Sequence, residues 1–433
     1  MTPLTRRAAL GAFALPALTA LPLAPGARAR DADVTHALAR AARPLDDLRP
    51  LGRAIGDAPV VGLGEVVHGA HELYELKHRV FRHLVAEKGF TAFALEVSWS
   101  AGLRLDAYVR SGSGDPRRIM DDEFGGGAWP WHVEEYLALF RWMREHNRRH
   151  ERRPVRFVGA DLSQPRLGEA LFDGVLAYVG RYRPHALPEF EDCYRELRAR
   201  PTAADFAALP PADRERLAGL ARRAAERLPA PGRPAATPYA WAAQHAWNIA
   251  ETTALLATDF SDHAQHRQAL RRRDALMAHN VAWWHRHVGG KVLVSAHNGH
   301  TAYATYDPDY YPTTQGAFLR ERLGRDYLAI GTTFGHGERV DTGPDGRWAT
   351  TAFPPPQRGS SEETLERAAR LAGHRDVLLD PRTVPAPARA WLATPRPTRD
   401  IGHPDDPYRQ YVLAEGHDVL IHLGRLHGAR PLT

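Results

Sequence analysis

Ala58-Pro-Val-Val-Gly-Leu-Gly-Glu65 is a short apolar run that ends on a carboxylate and breaks at once into Val66-Val67-His68-Gly69. Three further runs share its form: Phe90-Thr-Ala-Phe-Ala-Leu-Glu96, Val155-Arg-Phe-Val-Gly-Ala-Asp161 and Lys291-Val-Leu-Val-Ser-Ala-His297. Helical periodicity covers His71 to Lys88 and Glu134 to His150, between these runs, in the order of βαβ units. Short apolar runs flanked by helices read as parallel strands covered on both faces. The sequence thus predicts an α/β fold with a mostly parallel central sheet and flanking helices. Open sheets of this kind collect their ligand site outside the carboxyl edge. Glu65, Glu96, Asp161 and His297 are therefore expected to meet there, with His68 and His300 just beyond the first and fourth strands.

Strand signals nearly vanish from about residue 165 to 290, where alanine, arginine and leucine alternate with prolines at 201, 210, 211 and 229 to 238. This predicts a long helical insert forming a cap or side layer. Strand signals return at Tyr327 to Phe334, Asp376 to Leu379 and Val419 to Leu423, and Pro354-Pro355-Pro356 reads as a surface loop. No internal repeat interrupts this plan.

The first thirty residues differ in kind. Thr5-Arg6-Arg7 precedes an apolar run from Ala8 to Leu23, and Ala27-Arg28-Ala29 offers small residues where a signal peptidase reads. The pattern is that of a twin-arginine export signal over residues 1–29, followed by one domain over 30–433. Export of a soluble mature protein, with no membrane attachment, is the expectation. The single cysteine, Cys193, excludes an internal disulfide, so packing alone must hold the fold.

The chain has 433 residues and a hydrophobic share of 43%, enough to bury a substantial core. Net charge is +6 with a pI near 9.5. Only Lys77, Lys88 and Lys291 are lysines, and the arginine excess is scattered among alanine and proline. No basic stretch is interleaved with aromatics, so nucleic acid is not an expected partner. The expected partner is a small-molecule substrate, and nothing in the sequence fixes the oligomeric state.

Two motifs carry the chemistry. In Gly62-Leu-Gly-Glu-Val-Val-His-Gly-Ala-His-Glu72, Gly64 and Gly69 permit a tight turn that brings Glu65 and His68 out together. A carboxylate beside an imidazole fixes its tautomer and raises its basicity, as a general base for water requires. In Ser295-Ala-His-Asn-Gly-His-Thr301, two histidines three residues apart end a strand. They could orient water, polarise a carbonyl or bind metal, or simply make a capping turn at Asn298 and Gly299. Lys77 stands on the helix after His68 in a chain that otherwise uses arginine nearly everywhere, and Gly125-Gly-Gly-Ala-Trp-Pro-Trp131 is an aromatic loop placed to line a pocket. His71, Trp129, Trp131, His300 and Asp161 are the expected substrate-binding residues. No serine stands in a Gly-x-Ser-x-Gly elbow, which removes support for a nucleophilic triad.

At these residues the chain resembles the erythromycin esterase family. The resemblance runs through Gly-Glu-x-x-His-Gly at 64–69, Lys77, Gly89-Phe90 to Glu96, Trp131 and Glu135, Gly159 and Asp161, Arg273-Asp274 with Met277 and Asn280, His297-Asn298-x-His300, and Gly316 to Gly331. It departs from the family at Val67, where a small hydroxyl is usual, and at His279, where a glutamate is usual. The resemblance implies hydrolysis of a macrolide ester or lactone without metal or other cofactor. His68 is implied as general base, supported by Glu65, Glu96, His297 and Lys77. Two rivals use the same side chains, a metallohydrolase and a haem-binding protein. An export signal also suits a tailoring enzyme that closes or eliminates on a secreted natural product.

Overall fold

The computed structural model describes residues 25–124, 130–162, 167–228, 230, 236–343, 346–400 and 407–432. Arg6, Arg7, the apolar run to Leu23 and Trp129 lie outside them. The strands in chain order are β1 (Arg43–Pro44), β2 (Val60–Glu65), β3 (Phe90–Ser98), β4 (Arg156–Asp161), β5 (Lys291–His297), β6 (Tyr327–Thr342), β7 (Trp348–Phe353), β8 (Val377–Leu379), β9 (Arg396–Arg399), β10 (Tyr408–Tyr411) and β11 (Val419–Leu426). The main sheet runs β1-β8-β11-β6-β2-β5-β3-β4, with β7 added to β6. All pairs from β11 to β4 are parallel, and the antiparallel pairs involve β1, β7 and β8. The fold is thus α/β with a mostly parallel central sheet, as the four runs predict.

Every residue of β2 is buried, which explains why it shows no polar alternation. Val61 and Leu63 enter one core with Phe81, Phe93 and Phe140, beneath helices His71–Lys88 and Glu134–Arg149. Val60 faces a second core on the opposite side of the sheet. That core is filled by the insert, whose helices run from Glu169–Tyr182 to His263–His287 and include Ala236–Leu256. The insert is therefore a side layer against one sheet face. Elements not read from the sequence include helix Ser361–Leu371 and the hairpin β9–β10. Pro354 and Pro355 are exposed loop, as expected.

Register places the site. Glu65 on β2 is opposite His297 on β5, Leu95 on β3 is opposite Ser295, and Ser98 is opposite Asp161 on β4. Three adjacent carboxyl ends and their neighbour β4 thus deliver Glu65, His297, Glu96 and Asp161 to one edge. After β2 the chain turns sharply into helix His71–Lys88. The turn is clamped by Val66 N–H donating to Thr332 Oγ1 at 2.9 Å and by Gly69 O, which accepts from Val340 N at 2.9 Å and Ala429 N at 2.9 Å. Gly69 has φ +80°, and a Cβ there would lie 1.8 Å from Val340 O. Only glycine satisfies both the backbone angle and the contact.

Gly69→Ala should accordingly destabilise the protein by more than about 1 kcal/mol, from left-handed strain and the clash. A urea unfolding midpoint equal to the wild type would contradict this account of the turn.

Candidate active site

Glu65 is fully buried at the end of β2. One carboxylate oxygen takes His68 Nδ1 and the other takes Lys77 Nζ, which also donates to Ala296 O at 3.3 Å. Lys77 lies on the inward face of helix His71–Lys88 with Leu73, Leu76, Val80 and Phe81, and is 1% exposed. Burial opposes ionisation of Glu65, but Lys77 and His68 outweigh it and hold the carboxyl below its usual range. Burial likewise pulls the Lys77 ammonium down, against the pull of Glu65. The pair is a buried ion pair behind His68, so Lys77 stabilises Glu65 and does not face a ligand.

The His68 ring is partly open, with its side chain 27% exposed. Trp131 and His297 stand edge-on to it, with ring centroids at 5.5 Å and 5.3 Å. With Nδ1 committed to the Glu65 carboxylate, the proton sits on that nitrogen and Nε2 is left as an acceptor. Nε2 has no protein partner among the described residues.

His297 is held differently. Its Nδ1 accepts from Gly299 N at 3.1 Å and its Nε2 donates to Val66 O at 3.0 Å, so both nitrogens serve the backbone. Burial and the neighbouring His68 push its pKa down to about 4, which keeps it neutral. His297 therefore fixes the turn carrying His68 and forms a wall beside it. With both His297 nitrogens taken by the backbone and Lys77 buried against Glu65, neither side chain presents a donor to a ligand.

A second ionic group adjoins the first. His300 Nδ1 donates to Asp274 at 2.8 Å, and its Nε2 lies 3.2 Å from Glu96. Burial disfavours its charge, but Asp274 and Glu96 prevail and push it up to about 10. It is a fixed imidazolium. Glu96 also accepts from Arg273 Nη2 at 3.0 Å and from His297 N at 2.9 Å, and is held well below the usual carboxylate range despite burial. Arg273 reaches Asp161 through Nε at 2.9 Å and Nη2 at 2.5 Å. Tyr311 OH donates to Asp274 at 2.5 Å, and Gln315 N to the same carboxylate at 2.7 Å.

Asp161, expected to touch substrate, is fully buried and instead holds Arg273. His300 is 7% exposed with both nitrogens paired, so it too acts through its charge. His71 is on the rim, a third exposed, and bonded to Glu135 at 2.6 Å. Trp131 is buried against His68, and Trp129 is outside the described residues. Arg273, Asp274 and Tyr311 belong to the site although the motifs do not mark them as functional groups. The adjacent Arg273-Asp274 pair in the resemblance was their only sequence signal. Among the described residues no group of three His, Cys, Asp or Glu side chains is arranged to hold a metal ion. No helix among them is long and apolar enough to cross a membrane.

The arrangement offers one imidazole acceptor above a buried, cation-paired carboxylate, next to a permanently charged network. The erythromycin esterase family model matches residues 85–426, a span that includes Glu96, Asp161, Arg273, His297 and His300 but begins after Glu65, His68 and Lys77. The chain is 25% identical over 348 residues to erythromycin esterase type II of Escherichia coli, covering 74% of this chain and 81% of that one. Among solved structures it superposes on a succinoglycan biosynthesis protein with TM-score 0.81 at 29% identity, covering 93% and 99% of the two chains. A mutant of the erythromycin esterase EreC in its open conformation matches with TM-score 0.70 at 18% identity, over 91% and 97%.

The folded pKa of His300, about 10, lies above the ~6.5 of free imidazole. Its ionic bonds therefore stabilise the fold fully below about 6.5, and this contribution is lost as pH rises through about 10. Urea unfolding should show wild-type stability falling across that window and a flatter profile in His300→Gln. Equal slopes in the two proteins would contradict the imidazolium assignment.

Proposed function

The chain belongs to the erythromycin esterase family, and from that premise we propose that it is a hydrolase of esters or lactones in which His68 activates water. The observation that carries this reading is the Glu65–His68 bond, which directs the His68 proton away from the open side of the ring. Water bound at Nε2 gives up a proton to it as the oxygen attacks the carbonyl carbon. The imidazolium so formed lies against Glu65, and returns the proton to the departing alkoxide. No covalent intermediate is required.

Charge balance supports the same step. Glu65, Glu96, Asp161 and Asp274 supply four negative charges, against Lys77, Arg273 and His300 with three positive. The proton that His68 receives in the reaction neutralises the difference. Because these groups are buried and bonded to one another, they need not reorganise as charge moves. Arg273 and His300 set fixed positive charge against Glu96 and keep that carboxylate ionised beside His297.

For substrate, a macrolide or related natural product fits the family name and the aromatic wall at Trp131. A second reading is favoured by Thr5-Arg6-Arg7 and the apolar run after it. An exported enzyme acts on a secreted molecule, so ring closure or elimination during biosynthesis is the alternative to detoxification, and both use the same base. We assign export through the twin-arginine route on that motif.

Two outcomes test these readings. His68→Ala should retain its fold, by circular dichroism, while turnover of a lactone or aryl ester falls at least ~10²-fold, the scale of a lost general base. Near-normal turnover in the folded variant would end the base assignment. Replacing Arg6 and Arg7 with lysine should retain the uncleaved precursor in the cytoplasm, read by fractionation and mass spectrometry. Wild-type protein found intracellular with its amino terminus intact would refute export.

A further inference from the structure

Helices Ala236–Leu256 and His263–His287 form an antiparallel pair. Trp241 meets Trp283 with ring centroids at 5.0 Å, Gln244 Nε2 donates to Asn280 Oδ1 at 2.7 Å, and Arg272 Nε donates to Glu251 at 2.8 Å. The inner half packs on the sheet through Ala278, Val281, Ala282 and Trp284, and Asn280 donates to Ala160 O at 3.1 Å. Arg273 is level with the strand ends, because it reaches Asp161 and Glu96. The residues before it therefore project past the carboxyl edge as an arm, seated on a small core in which Leu255 and Ala269 meet Leu162 and Leu276.

Seven residues are nearly two helical turns, so His266 stands on the same face as Arg273, and Arg267 on the same face as Asp274. The face that carries two groups into the ionic network thus continues outward along the arm. Leu270 lies between His266 and Arg273 on this stripe and is half-buried. Phe260, on the turn joining the two helices, stands edge-on to His266 with centroids at 5.4 Å. His266 stands edge-on to Tyr310 at 5.2 Å, and its Nε2 bonds the Tyr310 hydroxyl at 3.1 Å. Arg267 donates to Asp309 O, which ties the arm to the loop ending in Tyr311, the residue bonded to Asp274.

Phe260 is 48% exposed and Tyr310 44%; with Leu371 they are the exposed large hydrophobics among the described residues. Two of the three converge on one imidazole above the site, where apolar surface in water is normally hidden or used. We propose that Phe260, His266, Leu270 and Tyr310 form an outer subsite for the apolar portion of the substrate. Counted along the helix from Arg273 to His266, that portion lies roughly 10 Å beyond the ionic network. The occupant is a hydrophobic ring or acyl chain of an ester or lactone, matched to the exposed rings of Phe260 and Tyr310. This deepens the hydrolase reading and rests on it for the reaction.

The test compares two esters of one leaving group, 4-nitrophenyl acetate and 4-nitrophenyl octanoate, whose acyl chain spans about that distance. Wild type should favour the octanoate in kcat/KM by at least about five-fold, the scale of partly burying a short apolar chain. Phe260→Ser/Tyr310→Ser should abolish that preference, through a raised KM for the octanoate and little change in its kcat. Leu371→Ser, equally exposed but outside the arm, should retain it. A preference absent from the wild type or kept by the double variant overturns the subsite. If the wild type hydrolyses neither ester, the hydrolase reading has failed, and calorimetry with the neutral octanamide judges the subsite separately. Binding lost in the double variant upholds it, and equal or absent binding overturns it.

Discussion

A fully buried carboxylate at the end of a central strand is the constraint on which the site depends. Removing an ion from water costs several kcal/mol even after relaxation, and Glu65 is left with no solvent to offset it. Lys77 and His68 supply the compensation, one from each side. Each requirement then propagates. Lys77 must sit on the inward face of the following helix, which fixes the pitch of the turn after β2, and that turn must be as short as Gly69 allows. His68 is positioned as a consequence of keeping Glu65 ionised. Removing Lys77 alone would leave the carboxylate half-compensated, so the distant lysine belongs to the acid–base unit although it faces no ligand.

The second ionic group obeys the same electrostatics with the opposite result. Glu65 meets one buried cation and one open imidazole, whereas His300 lies between two buried carboxylates and is locked in its charged form. One motif spacing therefore gives histidines of three kinds: His68 with an acceptor nitrogen open, His297 held neutral by backbone bonds, and His300 held cationic. Helix His263–His287 connects the parts. Its inner half anchors in the core with the sheet, Arg273 and Asp274 brace the charged groups, and its outer end rises beyond the strand ends.

Much of this was legible in the sequence because strand burial and strand ends leave strong patterns. The runs ending at Glu65, Glu96, Asp161 and His297 became β2 to β5, and the parallel register did the rest. The roles of particular groups were less legible, since a role depends on which partner a side chain meets across the sheet. Asp161 resembles a site acid in sequence, yet only the fold shows Arg273 covering it. His297 and His300 look equivalent as His-x-x-His, and their separation into a neutral and a charged ring follows from Val66 O on one side and Asp274 on the other. Asp274 and Tyr311 gave no pattern of their own, because each acts from a helix or loop whose depth the sequence does not encode. The short strands and helices around Ser361–Leu371 and β9–β10 likewise lacked a periodic signal long enough to read.

The central claim is that Glu65 dictates the His68 tautomer and leaves Nε2 as the acceptor. Nitrogen-15 NMR of histidine-labelled protein, followed through a pH titration to the neutral ring, measures this directly. The account predicts a protonated Nδ1 and an unprotonated Nε2 for His68, with the preference lost in Glu65→Gln. A His68 resonance pattern showing the proton on Nε2 in the wild type would contradict it.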